Sequence, residues 1–307
     1  MKAKKQALLG QLSDIDLRLL RVFKAVAECG GMAAAELELN IATSTISRHM
    51  KDLETRLGLT LCRRGRGGFA LTPEGERIHA ETVRLLASTE AFRQGVDDIH
   101  QRMGGQFHLA LFEKTASNAD ARIAQAIALF RQQAPDVHLN VHVGPINQIE
   151  RGVLDGSFQV GIVPAHRNSE TLVYDDLFGE TMLLYAGAGH PLFAADDTGL
   201  DWSGVQAHAF AGLGYHSPNM EFSHQERLRR AATAFDQEAV ATLILAGAFL
   251  GFLPEHYAAS FVAAGRMRPL RPGLLRYDCR FVAITRRALP TARVTQAFRN
   301  CLLQAHA

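Results

Sequence analysis

Residues 43–58 read TSTISRHMKDLETRLG, and this stretch decides how the N-terminal part of the chain is interpreted. Its apolar residues Ile46, Met50 and Leu53 recur at the spacing of one helix face, which predicts a helix with an inward stripe. Gly58 follows the last periodic residue, as is typical where a helix ends in a left-handed turn. The hydroxyl and basic residues between the apolar positions are therefore expected to face solvent.

Two further helices are predicted before this stretch. Residues 14–28 carry apolar residues at helical spacing, with Asp14 as the expected N-cap and Gly30-Gly31 as the stop. A short alanine-rich helix is predicted over residues 32–39, followed by a tight break at Asn40. Helix, tight break and helix is the helix-turn-helix pattern, in which the start of the second helix approaches DNA bases.

The segment after Gly58 predicts a β-hairpin and then a long helix. Residues 59–71 contain RRGRGGFALT, which indicates a hairpin with a tip rich in arginine and glycine. Pro73 fits the first turn of a helix that is expected to reach about residue 102. A helix of this length does not bury its apolar face alone, so we expect it to pair with a second copy. Packing against its own C-terminal domain is the alternative.

The charge of the chain is divided unevenly. Residues 1–72 hold 12 Lys and Arg against 7 Asp and Glu, whereas the remainder holds 21 against 24. A basic N-terminal region on a slightly acidic body is consistent with a polyanionic partner, although many solvated surfaces are similar. We find no apolar stretch long enough for a membrane span and no signal-peptide core, and we expect the protein in the cytoplasm.

After Met103-Gly104-Gly105 the pattern changes to alternating strands and helices, which is typical of an open, mainly parallel sheet. Two such halves predict two lobes with a cleft between them. The predicted strands are residues 107–112, 137–143, 159–163, 181–186, 209–213, 249–253 and 279–284. The predicted helices are residues 119–133, 148–154, 218–231, 237–246 and 291–304.

Residues 14–80 resemble the N-terminal domain of the LysR-type transcriptional regulators. The likeness rests on three features: the Ser-Arg pair within TSTISRHM, the LE…LG pair of residues 53–58, and LTPEG at the entry to the long helix. It implies the fold class: α/β with an all-α winged helix-turn-helix head, a long linker helix and a two-lobed periplasmic-binding-protein-like effector domain. The expected boundaries are 1–73, 74–102 and 103–307, with lobe I at about 103–164 and 266–307 and lobe II at about 165–265.

The resemblance implies a transcription regulator that binds promoter DNA, a small-molecule effector and further copies of itself, as a dimer or tetramer. RNA polymerase is a further expected partner. It implies neither a cofactor nor a resident metal. The residues expected to form the DNA-binding site are Thr43, Ser44, Ser47, Arg48, Lys51, Arg63, Arg64, Arg66 and Thr72. Of these, Thr72 is expected to fix the wing at the start of the long helix. Thr43 departs from the glutamine common in the family, so the base preference at that position stays open. The resemblance also predicts an aspartate in the strand ending at Val163, where this chain has Gln159 or Val160.

Ligands of two-lobed α/β domains bind at the carboxyl ends of the strands, where helix N-termini favour anions. The loops at those ends supply the effector-binding candidates: Thr115, Ser117, Asn118, Ile146, Asn147, His166, Tyr215 and Phe235. Ser117 is alternatively a helix cap, and His166 is alternatively a surface histidine. Asp236 is expected to cap the helix that follows it. A small organic or aromatic carboxylate is the expected effector.

Other functional classes find little support in the sequence. The catalytic motifs GxSxG, HExxH and GxxxxGK[ST] do not occur, so we expect no enzyme activity. His138 and His142 lie roughly 13 Å apart along one strand and do not share a metal ion. Four dispersed cysteines indicate reduced core residues, with a redox-sensing pair as the alternative. An effector-independent DNA-binding protein and a small-molecule-processing enzyme on a two-lobed body are the alternative functions.

Overall fold

The computed structural model describes residues 10–65, 68–287 and 291–307 and divides the chain into two compact units, residues 1–92 and 93–307. This division falls within a long helix, whereas the sequence analysis placed boundaries at residues 73 and 102. Within the described ranges, no helix is both long and apolar enough to cross a membrane.

The first unit begins with three helices, α1 (Asp14–Glu28), α2 (Met32–Leu39) and α3 (Thr43–Leu57). Their extents agree with the predicted ones, but Ser13 rather than Asp14 is the N-cap of α1. Asn40 ends α2 and Gly58 ends α3, both in the left-handed region, at φ 50° and 69°. Such residues tolerate positive φ, which explains why both helices stop there.

The core of the first unit is formed by the inward faces of these helices. Ile46, Met50 and Leu53 of α3 are at most 1% exposed, and they pack with Phe23 and Val26 of α1. This confirms the predicted inward stripe of α3. The face opposite the stripe is therefore left to solvent.

A hairpin and a long helix complete the first unit. Strands β1 (Cys62–Gly65) and β2 (Gly68–Leu71) pair antiparallel, with Cys62 opposite Leu71. Helix α4 (Pro73–Ile99) follows, three residues shorter than predicted. Thr72 accepts a hydrogen bond from the Gly75 N–H at 2.9 Å, and its hydroxyl donates to the Thr60 carbonyl at 2.6 Å. One side chain thus caps α4 and ties it to the base of the hairpin.

The second unit contains nine strands and eight α-helices among the described residues. The strands are β3 (Gly105–Leu111), β4 (Val137–Val143), β5 (Val160–Pro164), β6 (Leu172–Gly187), β7 (Phe210–Leu213), β8 (Arg230–Ala234), β9 (Leu250–Pro254), β10 (Met267–Pro269) and β11 (Arg276–Arg286). The helices are α5 (Ile123–Gln133), α6 (Ile146–Asp155), α7 (Pro191–Ala194), α8 (Trp202–Gln206), α9 (Pro218–Gln225), α10 (Gln237–Leu245), α11 (Glu255–Ala263) and α12 (Arg293–His306).

The sheet order is β4-β3-β5-β11-β6-β9-β7-β8, with β10 paired to β6. At one end β3 runs parallel to β4 and β5, and at the other β7 runs parallel to β8 and β9. We call the β3–β5 side, with α5, α6 and α12, lobe I, and the β7–β9 side, with α9, α10 and α11, lobe II. The antiparallel strands β6 and β11 join them.

Some predicted elements of this unit are wrong. The helix predicted over residues 218–231 ends at Gln225, and the chain enters strand β8 at Arg230 because that segment pairs with β7. The helix predicted from residue 119 begins only at Ile123. The sequence analysis did not identify α7, α8, α11 or β10.

The strand β5 shows what replaces the aspartate that the family resemblance predicts. Gln159 lies immediately before β5, and its side-chain oxygen accepts a hydrogen bond from the His108 N–H at 2.7 Å. Its backbone N–H donates to the His108 carbonyl at 2.9 Å. Gln159 therefore makes a contact between β3 and β5.

Candidate DNA interface and effector cleft

The outward face of α3 carries the predicted DNA-contacting residues. Ser44, Arg48 and Lys51 are exposed, and Thr43 and Ser47 are half-buried. The Thr43 hydroxyl donates a hydrogen bond to the Glu36 carboxylate of α2. Thr43 therefore already has a partner within the protein, whereas the guanidinium and ammonium groups next to it face solvent.

The candidate residues of the hairpin and of its junction with α4 differ in exposure and in whether the structure describes them. Arg63 is exposed. The side chain of Arg64 and the whole of Arg66 lie outside the described residues, so the structure has no bearing on them. Thr72 is only 4% exposed, and its hydroxyl is used by the contacts to Thr60 and Gly75. This agrees with the expectation that Thr72 fixes the hairpin at the start of α4, and it leaves no accessible side-chain polar atom of Thr72 for a direct contact to DNA.

The loop after β3 approaches lobe II. Thr115 begins a 3₁₀ turn over Thr115–Ser117 and is 4% exposed. The Ser117 hydroxyl donates to the Lys114 carbonyl at 3.0 Å and lies 2.9 Å from Nδ1 of His256 in α11. Since α5 begins six residues after Ser117, the alternative that Ser117 caps this helix is wrong. Asn118 is 9% exposed and donates to the Gly179 carbonyl at 3.1 Å.

The two candidates at the start of α6, Ile146 and Asn147, differ in exposure. Ile146 is fully buried in the core of lobe I and presents no surface to a ligand. The prediction that Ile146 contacts an effector is therefore contradicted, because its side chain is part of the helix-to-sheet packing. Asn147 is exposed, and its side-chain oxygen accepts from the Gln148 N–H at 2.9 Å.

His166 lies where the chain leaves β5 towards lobe II. Its side chain is only 2% exposed, so the surface-histidine alternative is wrong. Nδ1 lies 3.2 Å from the Pro164 carbonyl, and Nε2 lies 3.7 Å from the Glu150 carboxylate. Burial lowers the pKa of His166, and the Glu150 carboxylate opposes that shift. The His166 ring also packs against that of His216 in lobe II, with centroids 5.2 Å apart.

The two aromatic candidates of lobe II, Phe235 and Tyr215, differ in how far they are exposed to solvent. Phe235 is 69% exposed at the end of β8. Tyr215 is half-buried after β7, and its hydroxyl has no hydrogen-bond partner among the described residues. Burial, with the nearby carboxylates of Glu113 and Asp236, raises the pKa of Tyr215. Asp236 accepts from the Ala239 N–H at 2.7 Å, which confirms the predicted cap of α10.

The sequence analysis missed the acidic and basic residues that link the two lobes. Glu113 accepts a hydrogen bond from the Gln237 N–H at the start of α10, at 2.8 Å. Lys114 pairs with Glu238 at 2.6 Å and lies over the Tyr257 ring, 4.4 Å from its centroid. Charged residues in loops usually face solvent, so only the close approach of the second lobe reveals these contacts.

A second link joins α11 to β6. Nε2 of His256 lies 2.9 Å from the buried carboxylate of Glu180, while its Nδ1 faces Ser117. The imidazole thus connects lobe I, the central strand β6 and lobe II. Nothing in the sequence pattern identifies His256, because its partners are 139 and 76 residues away.

The histidines of strands β3 and β4 and the four cysteines were considered as metal-binding or redox-active groups. His142 lies near His108 of β3, with Nε2 and Nδ1 3.1 Å apart, and not near His138. In the parts of the chain that the structure describes, no three metal-ligating residues cluster. The four cysteines are free thiols, and burial raises the pKa of both Cys279 and Cys301. Such thiols react slowly with oxidants.

Comparison with known proteins agrees with this architecture. Residues 17–76 match the family described as bacterial regulatory helix-turn-helix protein, lysR family, and residues 100–307 match the LysR substrate binding domain. The chain is 41% identical to the HTH-type transcriptional activator BauR of Pseudomonas aeruginosa over 290 residues, which cover 94% of this chain and 95% of that protein. It is 25% identical to the HTH-type transcriptional regulator GltR of Bacillus subtilis, over 83% and 84% of the two chains.

Solved structures show the same fold at low sequence identity. The crystal structure of CbnR, a LysR family transcriptional regulator, has a TM-score of 0.62 and 19% identity and covers 95% of this chain and 99% of that one. Full-length CbnR in complex with its target DNA has a TM-score of 0.60 and 20% identity, covering 94% and 99%. The chain belongs to the LysR family and is a DNA-binding transcription regulator with a winged helix-turn-helix head and a two-lobed effector-binding domain. Its relatives are named as regulators rather than as enzymes.

Proposed function

We propose that this regulator reads its operator through α3 and the hairpin and changes its DNA binding when a small organic acid enters the cleft between the lobes. One observation carries the effector proposal. The loop of residues 113–118 in lobe I forms direct hydrogen bonds with the N-terminal ends of α10 and α11 in lobe II. A ligand in this cleft must replace or rearrange those bonds, and this couples its binding to the relative position of the lobes.

An acid is the proposed effector class because of the helix ends around the cleft. Helix α11 begins directly after β9 and α6 begins two residues after β4, and the N-cap residue of each, Pro254 and Pro145, provides no side-chain hydrogen bond to the N–H groups of the first turn. Free N–H groups at a helix N-terminus favour anions. We therefore propose a carboxylate as the anionic group of the effector.

We propose a homodimer, or a tetramer built from dimers, held by α4. Phe92, Val96 and Ile99 lie on one side of this helix and are 76%, 39% and 79% exposed. Covering these side chains with a second copy removes apolar area from water. A dimer would place two α3 helices in successive major grooves, about 34 Å apart. The regulator would work in the cytoplasm, where bacterial DNA lies.

The DNA face is tested by replacing Arg48 with alanine. Arg48 is exposed on the outward face of α3, so the loss of its guanidinium should weaken operator binding at least about tenfold. If Arg48 contacts a phosphate, the slope of log K against log salt should also fall by about one. Fluorescence anisotropy with a labelled operator fragment at several salt concentrations measures both quantities.

The matched control is Arg280→Ala, which removes an arginine that is 74% exposed on β11 of the second unit. This control should retain full DNA affinity. Equal affinity in Arg48→Ala and the control would refute the assignment of α3 as the reading helix.

The effector cleft is tested by thermal unfolding in the presence of small acids. A ligand at a hundredfold excess over its Kd stabilises the folded protein by about 2.7 kcal/mol, which corresponds to roughly 5 °C or more. Ser117→Ala removes the hydroxyl that faces both lobes, so it should reduce this shift. Ser260→Ala, an exposed serine on α11, should leave it unchanged.

Equal shifts in the two variants would contradict a site at the 113–118 loop. If no compound changes either the unfolding temperature or operator binding, an effector-independent DNA-binding protein becomes the better description.

A further inference from the structure

The cleft contains a carboxylate without a counter-cation. Glu113 lies between the two lobes, and its one described hydrogen bond comes from the Gln237 N–H of α10, at 2.8 Å. Among the described residues, no lysine, arginine or histidine forms an ion pair with it. Lys114, its neighbour in sequence, is directed to Glu238 and the Tyr257 ring instead.

The surroundings of Glu113 are negative rather than positive. Asp236 and Glu238 are its nearest acidic neighbours, and both disfavour its ionised form, whereas Lys114 favours it. Burial is the larger effect, and together these groups raise the pKa of Glu113 to about 7. A carboxylate in such a place is stabilised by any cation that enters the cleft.

Two residues that interact with Glu113, Gln237 and Tyr215, carry buried oxygen atoms without hydrogen-bond partners among the described residues. Gln237 is 2% exposed, and its side-chain oxygen Oε1 is buried with no hydrogen bond among the described residues. The buried hydroxyl of Tyr215 is in the same condition. Buried polar atoms are nearly always hydrogen-bonded, so two exceptions at residues that both interact with Glu113 indicate a group that the protein chain itself does not supply.

These three groups share one chemical property, which is that each can accept a hydrogen bond. The Glu113 carboxylate and Gln237 Oε1 are acceptors only, and the Tyr215 hydroxyl can also accept. A primary ammonium group carries three N–H donors, no acceptor and one positive charge. It therefore satisfies the unpaired oxygens and the uncompensated carboxylate together.

We propose that Glu113, Tyr215 and Gln237 form a subsite for a primary ammonium group, and that the effector is a small aminocarboxylate rather than a simple organic acid. This rests on the proposed function, in which the effector binds in the cleft between the lobes. The ammonium lies against Glu113 at the start of α10, and the effector's carboxylate extends to the free helix N-termini around the cleft.

The proposal is tested by titration calorimetry with straight-chain aminocarboxylates from glycine to 6-aminohexanoate. Each compound is paired with the acid of the same length that lacks the amine. We expect at least one aminocarboxylate to bind and its deaminated partner to bind at least tenfold more weakly. Binding should tighten as the pH rises from 6 to 8, because Glu113 must be ionised to hold the ammonium.

Glu113→Gln keeps an acceptor for the Gln237 N–H but removes the charge, so it should lower the affinity for the aminocarboxylate at least tenfold. Glu170→Gln, an exposed glutamate of the same unit, is the control and should bind as the unchanged protein does. If deaminated acids bind equally well and Glu113→Gln has no effect, the ammonium subsite is refuted while the effector cleft stands. If no compound of either series binds, the aminocarboxylate proposal is refuted as well.

Thermal unfolding without ligand tests the unpaired state of Glu113 independently of which compounds are titrated. The folded pKa of Glu113 lies above the ordinary 4.5, so its ionisation destabilises the folded protein increasingly as the pH rises from 5 to 8. Glu113→Gln should therefore unfold at a higher temperature than the unchanged protein at pH 8 and at the same temperature at pH 5. A lower unfolding temperature at pH 8 would show that the chain already pairs this carboxylate, which overturns the proposal.

Discussion

Gly75→Ala is expected to lower the free energy of unfolding of the DNA-binding unit by roughly 3 kcal/mol or more. A Cβ atom at Gly75 would lie 1.9 Å from the backbone carbonyl oxygen of Leu61. Both atoms belong to the main chain, and Leu61 is itself fully buried, so no side-chain rotation relieves the contact. The first turn of α4 would have to move away from the base of the hairpin.

Gly95→Ala provides the matched control on the same helix. Nothing lies within 4 Å of a Cβ atom at Gly95, so alanine should stabilise α4 by up to about 1 kcal/mol. Chemical unfolding of both variants, followed by circular dichroism, measures the difference. Equal stabilities would mean that the junction between hairpin and helix is not closely packed. Operator binding should be lost only in Gly75→Ala.

Asp16→Ala should destabilise the same unit by about 3 kcal/mol. Asp16 is 1% exposed, and its carboxylate pairs with Arg56 of α3 and accepts from both the N–H and the hydroxyl of Ser13. Arg56 and Ser13 hold the pKa of Asp16 far below its usual range, with Arg56 the larger cause. The substitution breaks the link between α1 and α3 and removes the carboxylate that accepts a hydrogen bond from the Ser13 N–H at the start of α1.

The contribution of Asp16 to the free energy of unfolding should depend on pH. Because the folded pKa is lowered, the stabilisation by Asp16 is present above about pH 4 and is lost as the pH falls towards the folded pKa. Asp16→Asn should therefore differ most from the unchanged protein near pH 6 and progressively less below pH 4. Asp52→Ala changes an exposed position on α3 and is the control. Its free energy of unfolding should differ from that of the unchanged protein by no more than about 0.5 kcal/mol at any pH, as is usual for surface substitutions. A pH-independent loss in Asp16→Asn would contradict the ion pair.

The head was predictable because its signals are local. The apolar spacing of residues 43–57 and the glycine after it define α3 without reference to anything distant in the chain. The resemblance of the same residues to the LysR-type regulators then supplied the function. The role expected for Thr72, which is to fix the hairpin at the start of the long helix, is local in the same way, since its partners Thr60 and Gly75 lie close to it in the chain.

The effector domain was harder because its decisive contacts join distant segments. Residues 226–231 have the composition of a helix, but pairing with β7 draws Arg230 into a strand. Glu113 and Gln237 are 124 residues apart, and neither stands out by composition. Their importance follows only from burial and from the absence of a cation, which periodicity does not report.

The ladder between β6 and β11 constrains how the two lobes can move. It runs from Leu183 opposite Arg276 to Leu172 opposite Arg286, with one irregularity where Leu177 has no partner between Phe178 and Asp176. The chain passes from lobe I to lobe II through β6 and returns through β11. Because these two strands are hydrogen-bonded to each other, a change in the angle between the lobes has to bend or twist both strands together. A ligand that changed the angle between the lobes would therefore have to deform this pair of strands, and the hydrogen bonds between them would oppose the change.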